Sequence, residues 1–444
     1  MAAGAGTRAT VVIVNWNGAH LLGPCLDAVA KQDVDGFETV VADNASTDGS
    51  VALLRRDYPW VRVVETGGNL GFAGGNNAAL RTVSTPFTVL LNNDAVPEPS
   101  WLRETLNAFE DDPAVGVVTP KILFLPRFVR LSLDTPGFVP GGADPRELGV
   151  RVYGVTVGGE PVKPLWERLT WGPEPGGFSW TRPRGDLLLP TSETPGAQRV
   201  SFTWAAERAK DVRLSWDGGG VTLPVGTEPG ETAFDLPSGV ERLDVVNNAG
   251  GIVLRDGYGA DRGFQQVDEG QFDAREDVFA FCGNGAAFRR EVLDSVGLFD
   301  DDFFLYYEDT DLSWRVQAAG WRVRYEPAAV LRHHHAASSG EASPVFQFHV
   351  QRNRLLMLTK NASRGLAARQ VLRYPLTAAS VARRTLRQGL AARARPDVSQ
   401  SRLHLRVVAS YLRLLPAMLR RRRAIDRTRA VSRADLERRL VARP

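Results

Sequence analysis

The sequence predicts an α/β protein in which a mostly parallel sheet is interrupted by an all-β insert and followed by a helical region. Three observations predict this. Residues 1–125 alternate short β-rich runs with helix-length segments, and the same style returns over 246–344. Residues 126–245 are rich in Pro, Gly and short alternating runs. Residues 345–444 carry apolar side chains at helical spacing between arginines.

Five β-rich runs and the segments between them make up the first part. The runs are TVVIVNW (10–16), TVVADN (39–44), VRVVET (61–66), FTVLLNND (87–94) and VGVVTPKI (115–122). Ser46 or Thr47 is predicted to cap the second intervening helix, and Ser100 the fourth. Because βαβ crossovers are right-handed, the strands are expected to form a Rossmann-like parallel sheet covered on both faces. Ligands bind such sheets at the carboxyl ends of the strands.

The insert and the segment after it follow different patterns. GVRVYGVTVGG, RVSFTWAA, DVRLSW and ERLDVVNN predict antiparallel strands joined by turns, and hence a sandwich-like domain. Its role is left open between glycan binding, positioning of an acceptor and contacts in a homo-oligomer. FCGNGAAFRREVLDSVG then predicts a helix that ends at Gly297, and a further helix is expected to begin near Glu308.

Composition bounds the class of protein. With 444 residues, 43% hydrophobic and 24% charged, the chain is long enough for two or three domains with sizeable cores. A net charge of +3 is small for this length, so no nucleic-acid partner is expected. Cys25 and Cys282 are far apart and lack ligand spacing, which favours a reducing compartment. We expect neither a signal peptide nor a membrane span, since VVASYLRLLPAML is interrupted by Arg413 and Pro416.

Polar side chains end two of the predicted strands. LLNNDA places Asn92, Asn93 and Asp94 directly after a buried run, and VVADN places Asp43 at the end of the second strand. A capping role explains either aspartate alone. At the same sheet edge, however, the Asp43 carboxylate could accept from a nucleotide base or a ribose hydroxyl.

A glycine-rich stretch, TGGNLGFAGGNNAAL (66–80), precedes the third helix. Its glycines allow positive φ and close backbone approach, and the helix offers N–H groups to an anion. A flexible turn is the plain alternative, but Asn69, Asn76 and Asn77 among the glycines favour a polar ligand. No GxGxxG follows the preceding strand, so a dinucleotide site is not indicated.

Acidic and imidazole side chains cluster in the second α/β part. In YYEDTDLSWR, Glu308, Asp309 and Asp311 crowd the start of a predicted helix. The helix dipole accounts for two acids, and such a cluster could shift one carboxylate toward the pKa of a general base. In LRHHHAASS, one of the histidines could share a divalent cation with Asp94.

The order of these motifs resembles a known family. VIVNWNG, ADNASTDGS, GGNLGFAGGNN, LLNNDA and the stretch from FCGNGAAF to AAVLRH resemble the inverting GT-A glycosyltransferases of family 2, and most closely their bacterial rhamnosyltransferase and galactofuranosyltransferase branch. The resemblance covers about 8–125 and 246–340, and it leaves out the β-rich insert and the Arg-rich tail. It implies a GT-A fold and transfer of a sugar from a nucleotide-diphospho-sugar.

The resemblance also implies roles for single residues. Asp94 matches the last Asp of the family's DxD motif, which binds Mn²⁺ or Mg²⁺, although Asn92 replaces the first Asp. His333 matches a second metal ligand, Asp309 matches the general base, and Asp43 matches a contact to the base or ribose. The other donor-side residues that the resemblance implies are Asn15, Asn69, Gly71, Phe72, Ala73, Asn76 and Asn93. Acceptor-side candidates are Glu308 and Asp311.

The resemblance predicts a metal-dependent, inverting enzyme. dTDP-rhamnose is the first-choice donor and a UDP-sugar such as UDP-galactofuranose the second, with a hydroxyl of a cell-surface or lipid-linked glycan as acceptor. A sugar nucleotidyltransferase would need a lysine in the first loop, and VNWNGAHLLG has none. A glycan-binding scaffold with a degenerate GT-A domain is disfavoured because Asp43, Asp94, Asp309 and His333 are all present.

The last hundred residues are expected to be amphipathic helices. RRRR at 420–423 attracts phosphates of any kind, but Leu, Val and Tyr between the arginines favour an anionic membrane surface over nucleic acid. This pattern predicts a cytoplasmic protein that associates peripherally with the inner face of the plasma membrane. A helical bundle packed on the catalytic domain stays open as the alternative.

Overall fold

The computed structural model describes residues 6–142, 144–191, 196–334, 343–391 and 397–443. It divides into two compact units. The first comprises residues 1–123, 247–264 and 270–444, and the second comprises residues 124–246 and 265–269. The C-terminal helices therefore belong to the same unit as the α/β sheet.

The described residues form the following strands and helices. The strands, in chain order, are β1 (Ala9–Asn15), β2 (Phe37–Asp43), β3 (Arg62–Glu65), β4 (Phe87–Asn92), β5 (Ala95–Pro97), β6 (Val115–Phe124), β7 (Arg127–Asp134), β8 (Arg151–Val157), β9 (Glu160–Val162), β10 (Thr170–Glu174), β11 (Phe178–Thr181), β12 (Arg184–Thr191), β13 (Gln198–Ala205), β14 (Lys210–Trp216), β15 (Gly219–Val225), β16 (Gly230–Leu236), β17 (Val246–Asn248), β18 (Gly251–Val253), β19 (Gly259–Asp261), β20 (Glu276–Val278), β21 (Gly285–Arg289) and β22 (Arg322–His333). The helices are α1 (Ala19–Val29), α2 (Ser50–Asp57), α3 (Gly71–Leu80), α4 (Trp101–Asn107), α5 (Arg290–Val296), α6 (Glu308–Ala318), α7 (Pro344–Asn361), α8 (Arg364–Ala391), α9 (Ser399–Thr428) and α10 (Arg433–Arg438).

The large sheet has the order β20-β22-β6-β21-β4-β1-β2-β3, with β17 beside β6 and β5 beside β22. β1 pairs in parallel with both β2 and β4, and β3 is parallel to β2. β21 lies between β4 and β6 and pairs antiparallel with both, so the sheet is mixed toward that side. The predicted fold class is confirmed, and the five β-rich runs are β1 to β4 and β6.

Helices cover both faces of this sheet. Val11 and Ile13 of β1 share a buried cluster with Leu26 of α1 and other apolar side chains of α1, α2 and α4. Val14 has the opposite parity along the strand and lies against α3, where a Cβ on Gly75 would come 2.7 Å from its Cγ1. The close approach of α3 to the sheet therefore requires glycine at this position.

Two of the predicted helix caps are wrong in detail. α2 begins at Ser50 and its N-cap is Gly49, at φ 89°, so neither Ser46 nor Thr47 caps it. The Ser46 hydroxyl instead accepts from the Asn17 backbone N–H at 2.9 Å. Ser100 is at the N-cap of α4, but its side chain makes no capping hydrogen bond. Gly297 ends α5 as predicted, at φ 79°.

The second unit is all-β. One antiparallel sheet has the order β10-β11-β8-β13-β16 with β9 beside β8, and the other has the order β12-β7-β14-β15. Leu131 and Leu214 of the second sheet share one hydrophobic core with Val155 and Phe202 of the first. This arrangement is the sandwich-like insert that the alternating runs predict.

The C-terminal helices have a core of their own within the first unit. Leu355 and Leu358 of α7 and Met418 of α9 pack in one buried cluster with Phe303 and with Trp314 of α6. The inner faces of α7 and α9 therefore pack on the α/β part, as the alternative of a packed helical bundle predicts. Among the described residues, no helix is long and apolar enough to cross a membrane.

Candidate active site

Three neighbouring strand ends are joined by side-chain hydrogen bonds. Asn15 at the end of β1 is in register with Asp43 at the end of β2. Its Nδ2 donates to Asp43 Oδ2 at 3.1 Å, and its Oδ1 accepts from Asn93 Nδ2 at 2.8 Å. The second oxygen of Asp43 accepts from the Ser46 backbone N–H at 2.9 Å. This edge of the sheet thus presents a connected polar floor, as the parallel register dictates.

Asp43 and Asn15, which form part of this polar edge, are both buried. Asp43 is only 1% exposed, and both of its oxygens accept hydrogen bonds within the chain. The large exposed group beside them is Trp16, which directly follows β1 and is half-exposed. Sequence reasoning named Asn15 but not Trp16, although a tryptophan that follows a buried strand is a signal for a solvent-facing aromatic ring.

Asp94 and His333 lie side by side. β5 pairs antiparallel with β22, so that His333 is opposite Ala95, and the His334 N–H donates to the Asp94 carbonyl at 2.9 Å. His333 Nε2 comes 3.1 Å from Asp94 Oδ1, and both residues are buried. The short strand after LLNND is what brings together two residues that are far apart in the sequence.

The Asp94–His333 pair fits a divalent cation of the kind that substrate phosphates complete. A carboxylate and an imidazole suit Mn²⁺, and metals that bind nucleotide phosphates commonly use one or two protein ligands. Among the described residues, no group of three or more His, Cys, Asp or Glu side chains could hold a metal alone. The donor set therefore matches a site that needs oxygens from a ligand, and not a closed structural site.

Asn284, a loop residue that the sequence does not single out, contacts His333 of this pair. Asn284 Oδ1 accepts from Asn92 Nδ2 at 2.8 Å, and its Nδ2 lies 3.3 Å from His333 Nδ1. The preceding residue, Gly283, donates its backbone N–H to Asp309 Oδ2 at 3.3 Å. Two successive residues of FCGNG thus contact His333 on one side and Asp309 on the other.

The glycine-rich segment forms the start of α3. Gly71 has φ 69°, and a Cβ there would come 2.4 Å from the Phe304 carbonyl oxygen, so only glycine fits. The Gly71 N–H donates to Asn69 Oδ1 at 2.9 Å, and the Ala73 N–H donates to the Phe304 carbonyl at 3.2 Å. The expectation that the first N–H groups of this helix are free for an anion is therefore wrong at Gly71 and Ala73.

Other polar residues of α3 are also engaged within the chain. Asn76 is buried, and its Nδ2 donates back to the Phe72 carbonyl at 2.9 Å. Asn77 donates to the Phe299 carbonyl at 2.9 Å and accepts from the Phe299 N–H at 3.1 Å. The Phe72 ring turns toward Gly283, where a Cβ would come 3.2 Å from its Cζ. Phe72 is thus the side chain of this segment that reaches the Asp309 side.

The aromatic run before α6 has an unusual backbone. Phe304, Tyr306 and Tyr307 have φ of 64°, 68° and 68°, a left-handed conformation that bulky residues rarely adopt. Asn353 of α7 is fully buried, and the two N–H groups of its Nδ2 are shared among the carbonyls of Phe303, Leu305 and Tyr306, which lie 2.8, 2.9 and 2.7 Å from that nitrogen. This one amide therefore fixes the loop that leads into α6.

A second α7 side chain contributes to the same contact. The Arg352 guanidinium donates from one nitrogen to the carbonyls of Asp302 and Phe303, at 2.9 and 3.0 Å. In the sequence, QRNR looks like part of an amphipathic helix, and its residue types do not indicate this role. We call Arg352, Asn353 and the carbonyls of residues 302–306 the α7 clamp.

Asp309 is the acid of the cluster that is partly exposed as a residue, whereas Glu308 and Asp311 are buried. Asp309 Oδ1 accepts from the Thr310 N–H at 2.5 Å, and Oδ2 accepts from Gly283. Burial raises the pKa of Asp309, and the hydrogen bonds from Thr310 and Gly283 oppose this shift. A carboxylate in such a setting binds a proton more readily than an exposed aspartate, as a general base requires.

The other two acids are placed differently from the expectation. Asp311 is fully buried, and its oxygens accept from Arg315 at 3.0 Å, Lys360 at 2.8 Å and Asn361 at 2.7 Å. Burial alone would raise the pKa of Asp311, but the charges of Lys360 and Arg315 hold it below its usual value. Its assignment to the acceptor side is corrected, because Asp311 joins α6 to α7 and leaves no oxygen for an acceptor.

Glu308 also points into the protein. It is buried, Oε2 has no hydrogen-bond partner within the part of the chain that the structure describes, and burial together with Asp309 raises its pKa well above the usual value. A buried, unpartnered carboxyl group is most stable when protonated. The structure therefore does not support an acceptor contact for Glu308 in its ionised form.

Comparison with known families agrees with this geometry. The profile of glycosyl transferase family 2 matches residues 10–135, which contain Asp43, α3 and Asp94. That of glycosyl transferase family group 2 matches residues 261–415, which contain Gly283, Asp309 and His333. Over these two stretches, which carry the candidate site, the chain is similar to family 2 glycosyltransferases.

Curated proteins that are similar to this chain match it only over short stretches. An N-acetylglucosaminyl-diphospho-decaprenol L-rhamnosyltransferase of Mycobacterium tuberculosis is 46% identical over 52 residues, 12% of this chain and 17% of that protein. A teichoic acid poly(glycerol phosphate) polymerase of Staphylococcus epidermidis is 28% identical over 132 residues, 28% of this chain and 18% of that protein. The uncharacterized glycosyltransferase YfnE of Bacillus subtilis is 30% identical over 111 residues, 24% of this chain and 28% of that protein. The matches thus span less than a third of each relative.

Two solved structures are similar over larger shares of this chain. The mannosyltransferase PcManGT of Pyrobaculum calidifontis, in complex with GDP-Man and Mn²⁺, has a TM-score of 0.42 at 14% identity, over 95% of this chain and 85% of that one. GalNAc-T7 with UDP, GalNAc and Mn²⁺ has a TM-score of 0.44 at 12% identity, over 80% of this chain and 48% of that one.

Proposed function

We propose that the protein is a metal-dependent, inverting glycosyltransferase that moves L-rhamnose from dTDP-rhamnose to a hydroxyl of a lipid-linked cell-surface glycan. UDP-galactofuranose is the second-choice donor. The observation that carries the proposal is the FCGNG loop. Its Gly283 contacts Asp309, and its Asn284 bridges Asn92 and His333, so adjacent residues contact the proposed base and one of the two proposed metal ligands.

The reaction follows from these positions. The acceptor hydroxyl is a weak nucleophile, and Asp309 takes its proton as the oxygen attacks the anomeric carbon. The diphosphate leaves from the opposite face, so one displacement inverts the configuration and no covalent enzyme intermediate forms. A cation bound by Asp94 and His333 would neutralise charge on the leaving diphosphate.

The chain's other residues hold the donor and the base. Trp16 offers an exposed aromatic face beside Asn15 and Asp43, where a nucleobase can stack. Phe72 lies next to Gly283, on the Asp309 side of the candidate site. The α7 clamp keeps the aromatic loop, and with it the start of α6, in the geometry that Asp309 needs.

The choice of donor and acceptor rests on the relatives. The M. tuberculosis match carries rhamnose and a diphosphate-linked lipid in its name, and the S. epidermidis match is named as a teichoic acid poly(glycerol phosphate) polymerase. Both matches are short, so the choice needs a direct test. We expect dTDP to raise the Tm of the full chain more than UDP, GDP or ADP, and only when Mn²⁺ or Mg²⁺ is present. If no nucleotide changes Tm with or without EDTA, the proposal fails.

We also propose that the enzyme works at the inner face of the plasma membrane, reached through α8 and α9. On α9, Leu405, Leu412 and Leu419 are exposed at seven-residue spacing, with arginines beside them. α8 has no acidic residue, and α9 contains only Asp426. Exposed leucines among arginines suit the boundary of an anionic leaflet.

Vesicle flotation tests this location. Leu405→Glu with Leu412→Glu should release the full chain from vesicles that contain phosphatidylglycerol. The control Val139→Glu, at an exposed position of the insert, should leave it bound. Unchanged flotation of the double variant would show that the contact lies elsewhere.

A further inference from the structure

A polar cavity lies at the junction of the C-terminal helices, and none of its lining residues belongs to the candidate active site. It has a volume of about 440 Å³ and is lined by residues at the start of α8, the last turns of α9, the turn that follows and the start of α10. Its charged wall residues are Arg364, Arg422, Asp426, Arg429 and Arg433.

The cavity has a large excess of positive charge. Asp426 is the one acid in its wall, and it is shared by Arg433 and by Arg429, whose Nε lies 3.2 Å away. Glu437 stands at the rim, where it accepts from the Ser363 N–H at 2.6 Å. Even with Glu437 included, the four guanidinium groups outnumber the carboxylates by two.

Two of the arginines are fixed by the end of α7. Arg422 donates from one nitrogen to the carbonyls of Thr359 and Ala362, at 2.8 and 2.7 Å. Arg433 Nε donates to the Asn361 carbonyl at 2.9 Å, its Nη2 donates to the Lys360 carbonyl at 3.3 Å, and its Nη1 donates to Asp426. Capping of α7 explains why these two are present. It also holds their remaining N–H groups in place, so little ordering is needed when an anion binds.

Helix capping does not explain the other two arginines. Arg364 makes no hydrogen bond or ion pair with the described residues, and Arg429 has only its share of Asp426. Burial, followed by the charge of Arg433, lowers the pKa of Arg422, and Arg364 and Arg429 act in the same direction. The pocket therefore holds like charges together at an electrostatic cost that an anion would relieve.

We propose that this cavity is a phosphate-binding site. Guanidinium groups bind phosphate oxygens in pairs of parallel hydrogen bonds, and four of them line one small cavity. The N-terminus of the 28-residue α8 at Arg364 adds a favourable dipole. The phosphate comes either from a lipid headgroup or from a soluble phosphate, since the chemistry of recognition is the same.

The test uses the full chain and a matched pair of double variants. Arg364→Gln with Arg429→Gln removes the two arginines that do not cap α7. The control, Arg384→Gln with Arg423→Gln, removes two exposed arginines of α8 and α9 that do not line the cavity. Both lose the same charge, so a general attraction to anions weakens equally in the two.

The probes separate the two sources of phosphate. Inorganic phosphate and diphosphate are titrated by calorimetry at 150 mM salt. Vesicles of phosphatidylcholine with phosphatidate, or with phosphatidylserine at equal surface charge, are compared by flotation. We expect the cavity variant to bind about tenfold more weakly than the control variant. A loss confined to phosphatidate vesicles identifies a lipid phosphate, and a loss of diphosphate binding identifies a soluble one.

A further variant keeps the test independent of folding defects. Ala434 lines the cavity and is exposed in the first turn of α10, where an acidic side chain suits the helix. Ala434→Glu should place a carboxylate among the arginines, raise Tm and block phosphate binding. Equal binding by the cavity variant, the control variant and Ala434→Glu would overturn the proposal.

Discussion

Replacement of Asn353 by alanine should disable the enzyme from a position that touches no substrate. The two N–H groups of its side-chain amide are shared among three carbonyls of the aromatic loop. At about 1 kcal/mol for each N–H, their loss amounts to about 2 kcal/mol. This is the same order of magnitude as the cost of holding Phe304, Tyr306 and Tyr307 at positive φ, which is about 1 kcal/mol or more per residue. Without the amide, the loop should relax toward ordinary φ values.

The relaxed loop would move two functional elements. α6 begins at Glu308, directly after the loop, and the Phe304 carbonyl also accepts from Ala73 at the start of α3. A displacement of about 1 Å at a reacting group can cost about 100-fold in rate. We therefore expect kcat to fall by about 100-fold in Asn353→Ala, with a decrease in Tm of a few degrees.

The assay combines steady-state transfer, Tm and the pH profile of kcat/KM. A displaced α6 changes the surroundings of Asp309, so the acidic limb of the profile should shift, which a simple loss of folded protein would not cause. Asn107→Ala, at an exposed position at the end of α4, is the matched control. Wild-type kcat and an unshifted profile in Asn353→Ala would refute the role of the clamp.

Three further predictions concern the metal ligands and two titrating groups. Asp94→Ala should weaken nucleotide binding about tenfold or more in Mn²⁺ and leave the affinity in EDTA unchanged, as measured by calorimetry; equal affinities in Mn²⁺ would exclude the ligand role. Because burial raises the pKa of Asp309, kcat/KM should fall with decreasing pH at a pH above the usual aspartate value of about 3.9, and a limb at or below that value would contradict it. Burial and then Arg352 lower the pKa of His349 to about 4. Since the folded pKa of His349 lies below the unfolded value of about 6.5, its contribution to stability should be full above that pH and should decrease toward pH 4. A wild-type Tm that is flat over this window would contradict the prediction. So would an equal dependence of Tm on pH in His349→Phe.

The α/β core follows from local patterns that need no distant information. β1 to β4 are short apolar runs that end on polar residues, with helix-length segments between them, and parallel pairing follows from the crossovers. The insertion of β21 between β4 and β6 does not follow in this way. Its register with β4 brings together residues that are almost two hundred positions apart, and a short apolar strand carries no mark of its partner.

The candidate site likewise has residues that the sequence motifs predict and residues whose roles depend on distant contacts. Asp94, His333 and Asp309 belong to motifs whose residue types reveal their chemistry, and the structure places Asp94 beside His333. The resemblance singles out Asp309 as the base, but the sequence could not show that Asp311 is buried, because its partners Lys360 and Asn361 lie about fifty positions away in a helix. The α7 clamp was missed for the same reason, since buried polar side chains of an amphipathic helix look like its solvated face.

The measurement that most directly tests the central claim compares transfer and donor binding in Asp309→Asn. Single-turnover transfer from dTDP-rhamnose or UDP-galactofuranose to a polyprenyl-diphosphate-linked sugar is measured beside donor affinity in Mn²⁺. Asp294→Asn, on the surface of α5, serves as control. A base that acts on the acceptor predicts a loss of transfer of about 100-fold or more with donor affinity nearly unchanged. Transfer at the wild-type rate, or an equal loss of donor affinity, would contradict the account.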